Sequence, residues 1–538
     1  MLKYLSSKIN SVAAAAFLVA TSSFISRLLG VVRDRILAGQ FGAGQELDIY
    51  YAAFRIPDFL FNLIVLGALS AGFIPVISRM IRTKGGSDNA SIWRVSSNVM
   101  NILSLLLIIL SLIGAVFAEP LIRLITPGFS PEAITQTAQL TRIMFISPFL
   151  LGISGVVGGM LQAYKRFFSY SMAPIFYNLG IIFGVLWLAP RFGLIGLAWG
   201  VAIGALFHLL IQLPALFSLG FRYRSVLSWK DGDTREVARM TGPRVMSLAV
   251  SQINIFIITF LASKLESGSL TVFNLANNIQ SFPVGIFGIS FAIAAFPSFS
   301  EVYDDDIELG KRFFSIARQI LFFVIPVTVI FITLRAQIVR VVFGTGDFDW
   351  NDTILTMNTL GFFSLSLFAQ ALIPLLSRVF YAKHDSRTPL YIGLACVLLN
   401  LPLSYYLSGR FGVSGLALAF SLVSIANFIL LWLVLYGRSD AFRPDRIIIP
   451  AFKFSLAAIA TGLAVQISKL AIWPIIDMST FSGVFVQLSV SAAVGGAVFL
   501  GFCWLLGAEE VSVAMGIIRK RLPFRKMPDG SQDEARGL

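Results

Sequence analysis

The residues with the clearest chemical capacity are arginines set inside apolar stretches. In "TSSFISRLLGVVRDR", residues 21–35, Arg27 interrupts a run of alanine, valine, leucine and phenylalanine that ends on Arg33, Asp34 and Arg35. A charged side chain at the centre of a bilayer costs on the order of 2.5–3.5 kcal/mol, so Arg27 needs a partner, a wet cavity or a route to the interface. Helical spacing puts Ser23, Arg27 and Asp34 on one face, which makes Asp34 the expected orienting partner of Arg27. Arg55, Asp58 and Asn62 form a second polar stripe, with Pro57 inside it and Pro75 beyond it, so this helix is expected to bend or break. A guanidinium presents a planar fork of donors matched to phosphate and carboxylate, and Arg27, Arg33 and Arg55 together predict grip on an anionic substrate. For any one arginine the competing account is packing, by snorkelling or pairing. Arg33 and Arg35, at the end of the run, also fit a solvated interfacial role.

A second group is polar without charge. "SQINIF" and "NLANNIQSFP" supply Gln252, Asn254, Asn274, Asn277, Asn278 and Gln280, which suit a sugar or an amide. Amides in a membrane bundle also bridge helices, at under about 1 kcal/mol each.

Other chemistries find little support. Asp304, Asp305 and Asp306 in "YDDDIE" would suit a metal-diphosphate transferase, but no second acidic cluster accompanies them, and such runs are usually solvated. "FGAGQELD" and "FGTGDFD" lack the lysine and the strand-to-helix setting of a phosphate loop and read as turns. His208, Cys396 and Cys503 fall in apolar runs and His384 in a loop, without zinc or triad spacing. No enzymatic turnover, cofactor or metal is expected.

The elements that must position these residues are membrane helices. Of 538 residues 57% are hydrophobic and 13% charged, and the mean hydropathy is +0.82, which excludes an ordinary soluble chain. Continuous apolar runs of about 20 residues favour helices over a barrel, giving an all-α polytopic membrane protein of about fourteen spans. They are expected near 11–32, 49–78, 95–118, 137–163, 171–189, 194–219, 240–262, 269–298, 313–334, 354–381, 388–408, 412–436, 449–472 and 484–507. The first, preceded by Lys3 and Lys8, reads as an uncleaved span rather than a leader. About 28 Lys and Arg fall on the side of the termini and about 10 on the other, so both termini are expected in the cytoplasm. The net charge of +14 is spread over these loops and needs no nucleic acid.

An internal repeat organises the spans. "RFGLIGLAWG" from Arg191 is answered by "RFGVSGLALA" from Arg410, and "IPVIS" ending at Ser78 more weakly by "FPSFS" ending at Ser300. Six helices per repeat return the chain to its starting side, so the copies are parallel, as in transporters that rock around a midplane site. The expected organisation is a six-helix lobe over 1–220, a second over 221–438, two further helices over 439–507 and a basic cytoplasmic tail over 508–538.

"SRLLGVVRDRILAGQFGAG", "YYAAFRIPD", "TPGF", "AYKRFFSYSMAPIFYNLG", "GPRVMSLAVSQI" and "FYAKHDSRTP" together resemble the MurJ/MviN family of lipid II flippases, within the exporter superfamily that also holds polysaccharide and multidrug exporters. The resemblance covers nearly the whole chain. It implies an inner-membrane protein that carries lipid II, an undecaprenyl diphosphate bearing a disaccharide pentapeptide, between leaflets by alternating access. Two lobes would enclose a cationic cavity, and the last two helices would form a groove for the lipid tail. By motif, Arg27 and Arg33 fall on essential arginines, Asp34 and Asp48 on neighbouring acidic positions, and Arg55 on a basic position of the second helix. The chain departs from the family pattern at Phe61, Asn62 and Leu66, where two arginines and a glutamate are usual, and at Asn278, where an arginine is usual. The acidic residues of sodium-coupled members in helices 7 and 11 have no counterpart. Substrate contact is therefore assigned to Arg27, Arg33, Arg55, Asp34, Asp48, Asn62, Asn274, Asn277 and Asn278. Export of another polyprenyl-diphosphate oligosaccharide, and a transport-dead scaffold that recruits cell-wall enzymes, are the alternatives.

Overall fold

The computed structural model describes residues 12–83 and 89–511; the tail beyond 511 lies outside the described residues. The described chain is helical, without strands. Helix α1 is Val12–Phe41. Helix α2 runs from Gln45–Leu60 through Phe61–Leu66 and Leu69–Phe73 to Ile74–Thr83. Then follow α3 (Asn89–Val116), α4 (Pro131–Ala163), α5 (Phe167–Phe192), α6 (Leu194–Ser218), α7 (Gly232–Ala262), α8 (Ser269–Glu301) and α9 (Asp306–Thr333). Helix α10 is a pair, Trp350–Ser364 and Leu367–Ala382, bent by 46°. Last come α11 (Arg387–Phe411), α12 (Val413–Arg438), α13 (Asp440–Ile472) and α14 (Phe481–Leu505).

Eleven of these are long and apolar enough to cross a membrane, twelve with the bent pair, which is fewer than the fourteen expected. Outside that set stand α1, whose second half carries Arg27, Arg33, Asp34 and Arg35, and α7, whose apolar portion is only Gln252–Ala262. The helix ends follow from polar caps beyond the apolar runs. Ser130 accepts from the Ala133 N–H ahead of Pro131, Asp349 and Asp352 form a reciprocal capping box, and Asp231 and Thr480 cap α7 and α14. Several helices thus begin earlier than hydropathy predicts: α2 at 45, α4 at 131 and α7 at 232.

The bend expected in α2 takes a different form. Between Pro57 and Pro75 the helix stays continuous but widens to a looser hydrogen-bond ladder over Phe61–Leu66 and Leu69–Phe73. Its repeat partner α8 widens likewise over Val284–Ile289, just after Pro283. Such insertions re-aim side chains and cluster at functional sites.

The sequence repeat is also a backbone repeat. Gly193 and Gly412, displaced by 219 residues (193 to 412), share φ 58°, with ψ of −142° and −140°. Lys165 and His384, with the same displacement, have φ of 60° and 59°. Separate apolar cores lie in each half, one around Val65, Phe73, Trp93 and Met160 and another around Phe299, Phe313, Phe322 and Phe380. A third joins the halves at one end, where Ala38, Ala43 and Ala52 pack with Ile258, Leu270 and Phe343.

Two helix contacts matter for the site. Gly180 and Gly184 of α5 face Gly204 and Gly200 of α6 so closely that an added methyl would strike backbone, the small-residue packing that replaces the hydrophobic effect inside lipid. Helix α7 belongs to both halves: Val237 and Val245 press on Gly72 and Gly67 of α2, and Asn254 accepts from Asn400 of α11 at 2.5 Å.

The positive φ at Gly193 and Gly412 disfavours any side chain, while the space around both is open, so the cost of a methyl is conformational alone. Gly193→Ala and Gly412→Ala are each expected to destabilise the protein by about 1–3 kcal/mol. Thermal loss of the monodisperse peak in detergent should show the same shift for both; unequal shifts would break the equivalence of the two turns.

Candidate functional site

The arginines of α1 and α2 stand at the seam where the first half meets α7 and α8. Arg33 donates from Nε and Nη2 to Asp34 Oδ1 at 3.0 and 2.8 Å, and from Nη1 to Asn178 Oδ1 at 3.1 Å. Asn178 on α5 is itself held, donating to the Ser26 carbonyl at 3.2 Å and the Pro174 carbonyl at 3.1 Å. The other oxygen of Asp34 accepts from Asn278 of α8 at 2.7 Å, and the Asp34 side chain is only 3% exposed. Charge-assisted hydrogen bonds contribute on the order of 1.5–3 kcal/mol each, enough to offset the cost of holding Arg33 in the membrane.

Arg55 donates through Nη2 to Asn274 Oδ1 at 2.8 Å, and its Nε–H is buried with no acceptor among the described residues. One turn earlier on the same face, the Tyr51 hydroxyl is also buried without a partner. Asp58 lies within electrostatic reach of Arg55 and Arg33. Two donors left open beside the Arg33 and Arg55 guanidiniums make a place where phosphate oxygens fit. Asn62 is half-buried within the widened turn of α2, and Asn277 accepts from Gln280 at 3.0 Å.

Arg27 is exposed, and among the described residues no acceptor pairs with it. Its guanidinium lies against Gly285, in the widened turn of α8, where an added methyl would collide with it. Phe24 and Phe282 meet beside it, ring centres 5.9 Å apart.

Asp48 has a different place. It is buried, and it accepts from the Gly268 N–H at 2.8 Å and from the Thr271 N–H and hydroxyl, both at 2.7 Å. A carboxylate from α2 thus caps α8 across the two halves. Around it, Asp352 accepts from the Ala43 N–H at 2.9 Å, the Asp347 N–H donates to the Gly39 carbonyl at 2.9 Å, and Arg35 donates to the Val341 carbonyl at 2.6 Å while lying over the Phe481 ring. This end of the seam is shut.

The structure corrects the expected pairing of Arg27 with Asp34. Two helical turns separate them by about 10 Å along α1, beyond side-chain reach, and Arg33 lies beside the carboxylate. Arg33 and Arg35 are not solvated ends but partners of Asp34, Asn178 and the 341–342 backbone. Sequence reasoning missed Asn178, Tyr51 and Arg378, the last a cation of α10 over the Phe296 ring of α8 at 5.1 Å. For Asn178 the available signal was its place in "APIFYNLG", a lone amide in an otherwise apolar helix.

The family model for lipid II flippase MurJ matches residues 37–488. The chain belongs to the MurJ family. The probable lipid II flippase MurJ of Buchnera aphidicola subsp. Acyrthosiphon pisum is 30% identical over 497 residues, 91% of this chain and 96% of that protein. The probable lipid II flippase MurJ of Thermotoga maritima is 31% identical over 449 residues, 83% of this chain and 89% of that protein. A solved lipid II flippase MurJ in an inward closed conformation shares the fold, with a TM-score of 0.74 at 24% identity over 91% of this chain and 98% of that one. An inward-facing multidrug resistance transporter of the MATE family in the MOP superfamily follows, with a TM-score of 0.66 at 16% identity over 78% and 95%.

Asn278 serves here as a neutral donor to Asp34. Loss of the Asp48 cap should weaken closure of the seam by about 1–3 kcal/mol. In a background without Cys396 and Cys503, Asp48→Ala is expected to speed maleimide labelling of a cysteine placed at Ala43 by roughly 5- to 150-fold. An unchanged rate would remove Asp48 from closure.

Proposed function

We propose that this chain moves lipid II from the cytoplasmic to the periplasmic leaflet by alternating access between a lobe over 1–220 and a lobe over 221–438, with the helices of 439–507 alongside. The observation that carries this reading is the Arg27 guanidinium, without an acceptor among the described residues, laid on Gly285 at the seam between α1 and α8. A diphosphate supplies the missing anion. Arg27 makes the principal contact; Arg33 and Arg55 flank it, with the open Arg55 Nε–H and the Tyr51 hydroxyl as further donors. Asn274, Asn277 and Asn278 serve the sugar and peptide once the seam parts. Asp34 holds Arg33, and Asp48 acts through closure rather than contact.

With both termini in the cytoplasm, as the loop charges favour, the shut end is periplasmic and substrate enters from the cytoplasmic side. Arg33 and Arg55 face two carboxylates, Asp34 and Asp58, and Arg27 stands apart from both, so its positive charge is the one left in excess. The neutral residues at Phe61, Asn62 and Asn278 make the site less cationic than the family pattern, which favours one second reading: export of another polyprenyl-diphosphate oligosaccharide.

Arg27→Ala is expected to abolish growth of a flippase-depleted strain while leaving protein levels intact, and Gly285→Ala, which displaces the guanidinium, to impair it. Purified wild-type protein should retain lipid II and lose it in Arg27→Ala. Normal growth of Arg27→Ala would remove Arg27 from the mechanism; retention of a different polyprenyl-linked glycan in preference to lipid II would select the second reading.

A further inference from the structure

The loop between α6 and α7 is fastened to α3. It comprises residues 219–231 and reads "FRYRSVLSWK" over 221–230. Side chains of α3 hold its backbone as a neighbouring strand would. Asn98 donates to the Ser228 carbonyl at 2.8 Å and accepts from the Ser228 N–H at 2.7 Å. Asn101 donates to the Val226 carbonyl at 2.9 Å and accepts from the Tyr223 hydroxyl at 2.9 Å, and Ser97 accepts from the Arg224 N–H at 3.1 Å.

These contacts fall at the edge of the hydrocarbon. Along α3 the face bearing Asn98 and Asn101 continues at helical spacing through Leu105, Ile108 and Leu112, all three exposed, which is the lipid-facing surface of an apolar helix. Counting about 20 residues back from Val116, enough to cross a roughly 30 Å core, reaches Ser97. The loop is therefore pinned at the interface, where Tyr223, Leu227 and Trp229 each leave more than half of their surface open. Tryptophan and tyrosine favour that depth.

Arg222, Arg224 and Lys230 are exposed and carry no ion pair among the described residues. Lys230 also lines a polar cavity of about 240 Å³ with Arg94, Asn98, Val226, Ser228 and Asp231. Asp231 is already engaged, by Arg94 at 2.9 Å and by the Thr234 N–H and hydroxyl at 3.1 and 2.9 Å, so the unanswered charge is that of Lys230. Arg94 precedes Ser97 by nearly one turn, about 4.5 Å, which sets the cavity in the headgroup layer.

We propose that this loop binds an anionic phospholipid of the adjoining leaflet, with the phosphate in the cavity against Lys230, Arg222 and Arg224 adding to the attraction, and Leu227 and Trp229 seated among the headgroups. The loop charges that place the termini in the cytoplasm make this the cytoplasmic leaflet, which carries anionic lipid. The site does not depend on Arg27 or on what is transported.

Native mass spectrometry of the full chain with phosphatidylglycerol and phosphatidylcholine of the same acyl chains tests this. A Lys or Arg near an anionic surface is worth about fivefold in affinity, so wild type should favour phosphatidylglycerol by on the order of a hundredfold. Arg222→Gln, Arg224→Gln and Lys230→Gln combined should erase that preference, and Lys230→Gln alone should cut it about fivefold. Leu227→Ser with Trp229→Ser should lower retention of both lipids. Arg191→Gln, at an exposed cation that donates to the Trp187 carbonyl, is the control and should change nothing. Absence of a preference in wild type, an intact preference in the triple variant, undiminished retention in the serine variant, or an equal loss in Arg191→Gln would each overturn the proposal.

Discussion

Guanidinium charge in a low-dielectric seam is the constraint on which the rest of this structure turns. Three arginines enter the membrane on α1 and α2, and the helices are arranged so that each meets a different environment. Arg33 is neutralised by Asp34 and steadied by Asn178. Arg55 is half satisfied by Asn274. Arg27 rests on bare backbone. The close glycine packing of α5 on α6 sets the position of α5, and α5 presents Asn178 to Arg33. Small residues on another face of α5 thereby fix a charge within the seam.

Closure at one end follows from the same economy of polar groups. The first N–H groups of α8 need acceptors, and Asp48 supplies them from α2, so the contact that satisfies a helix end also ties α2 to α8. Glycines at 39, 42 and 268 allow the loops to approach until backbone meets backbone. An apolar core then excludes water behind the polar contacts.

Much of this was legible in the residues. Long apolar runs gave the helical class, and the "RFG" repeat marked two turns whose backbones coincide at Gly193 and Gly412, because only glycine tolerates that φ. Arg27, Arg33 and Arg55 stood out by the cost of their charge. The partners did not. Helical spacing names neighbours on one face, so it joined Arg27 to Asp34 and overlooked Asn178, which comes from a helix 145 residues away. Hydropathy reads only what lies in hydrocarbon and therefore missed the capped ends of α2, α4 and α7. The widened turns of α2 and α8 depend on tertiary packing and carry no local signal beyond nearby prolines.

Helix α7 has a mechanical consequence. Its first part is fastened to α2, where Arg79 grips Glu236 at 2.6 Å and Val237 presses on Gly72, while its later part is fastened to α11 through Asn254. A rod clamped at both ends to different bodies cannot remain straight while those bodies turn. Relative rotation of the halves must flex α7 or shear one of its clamps, which makes this helix the leaf spring of the molecule.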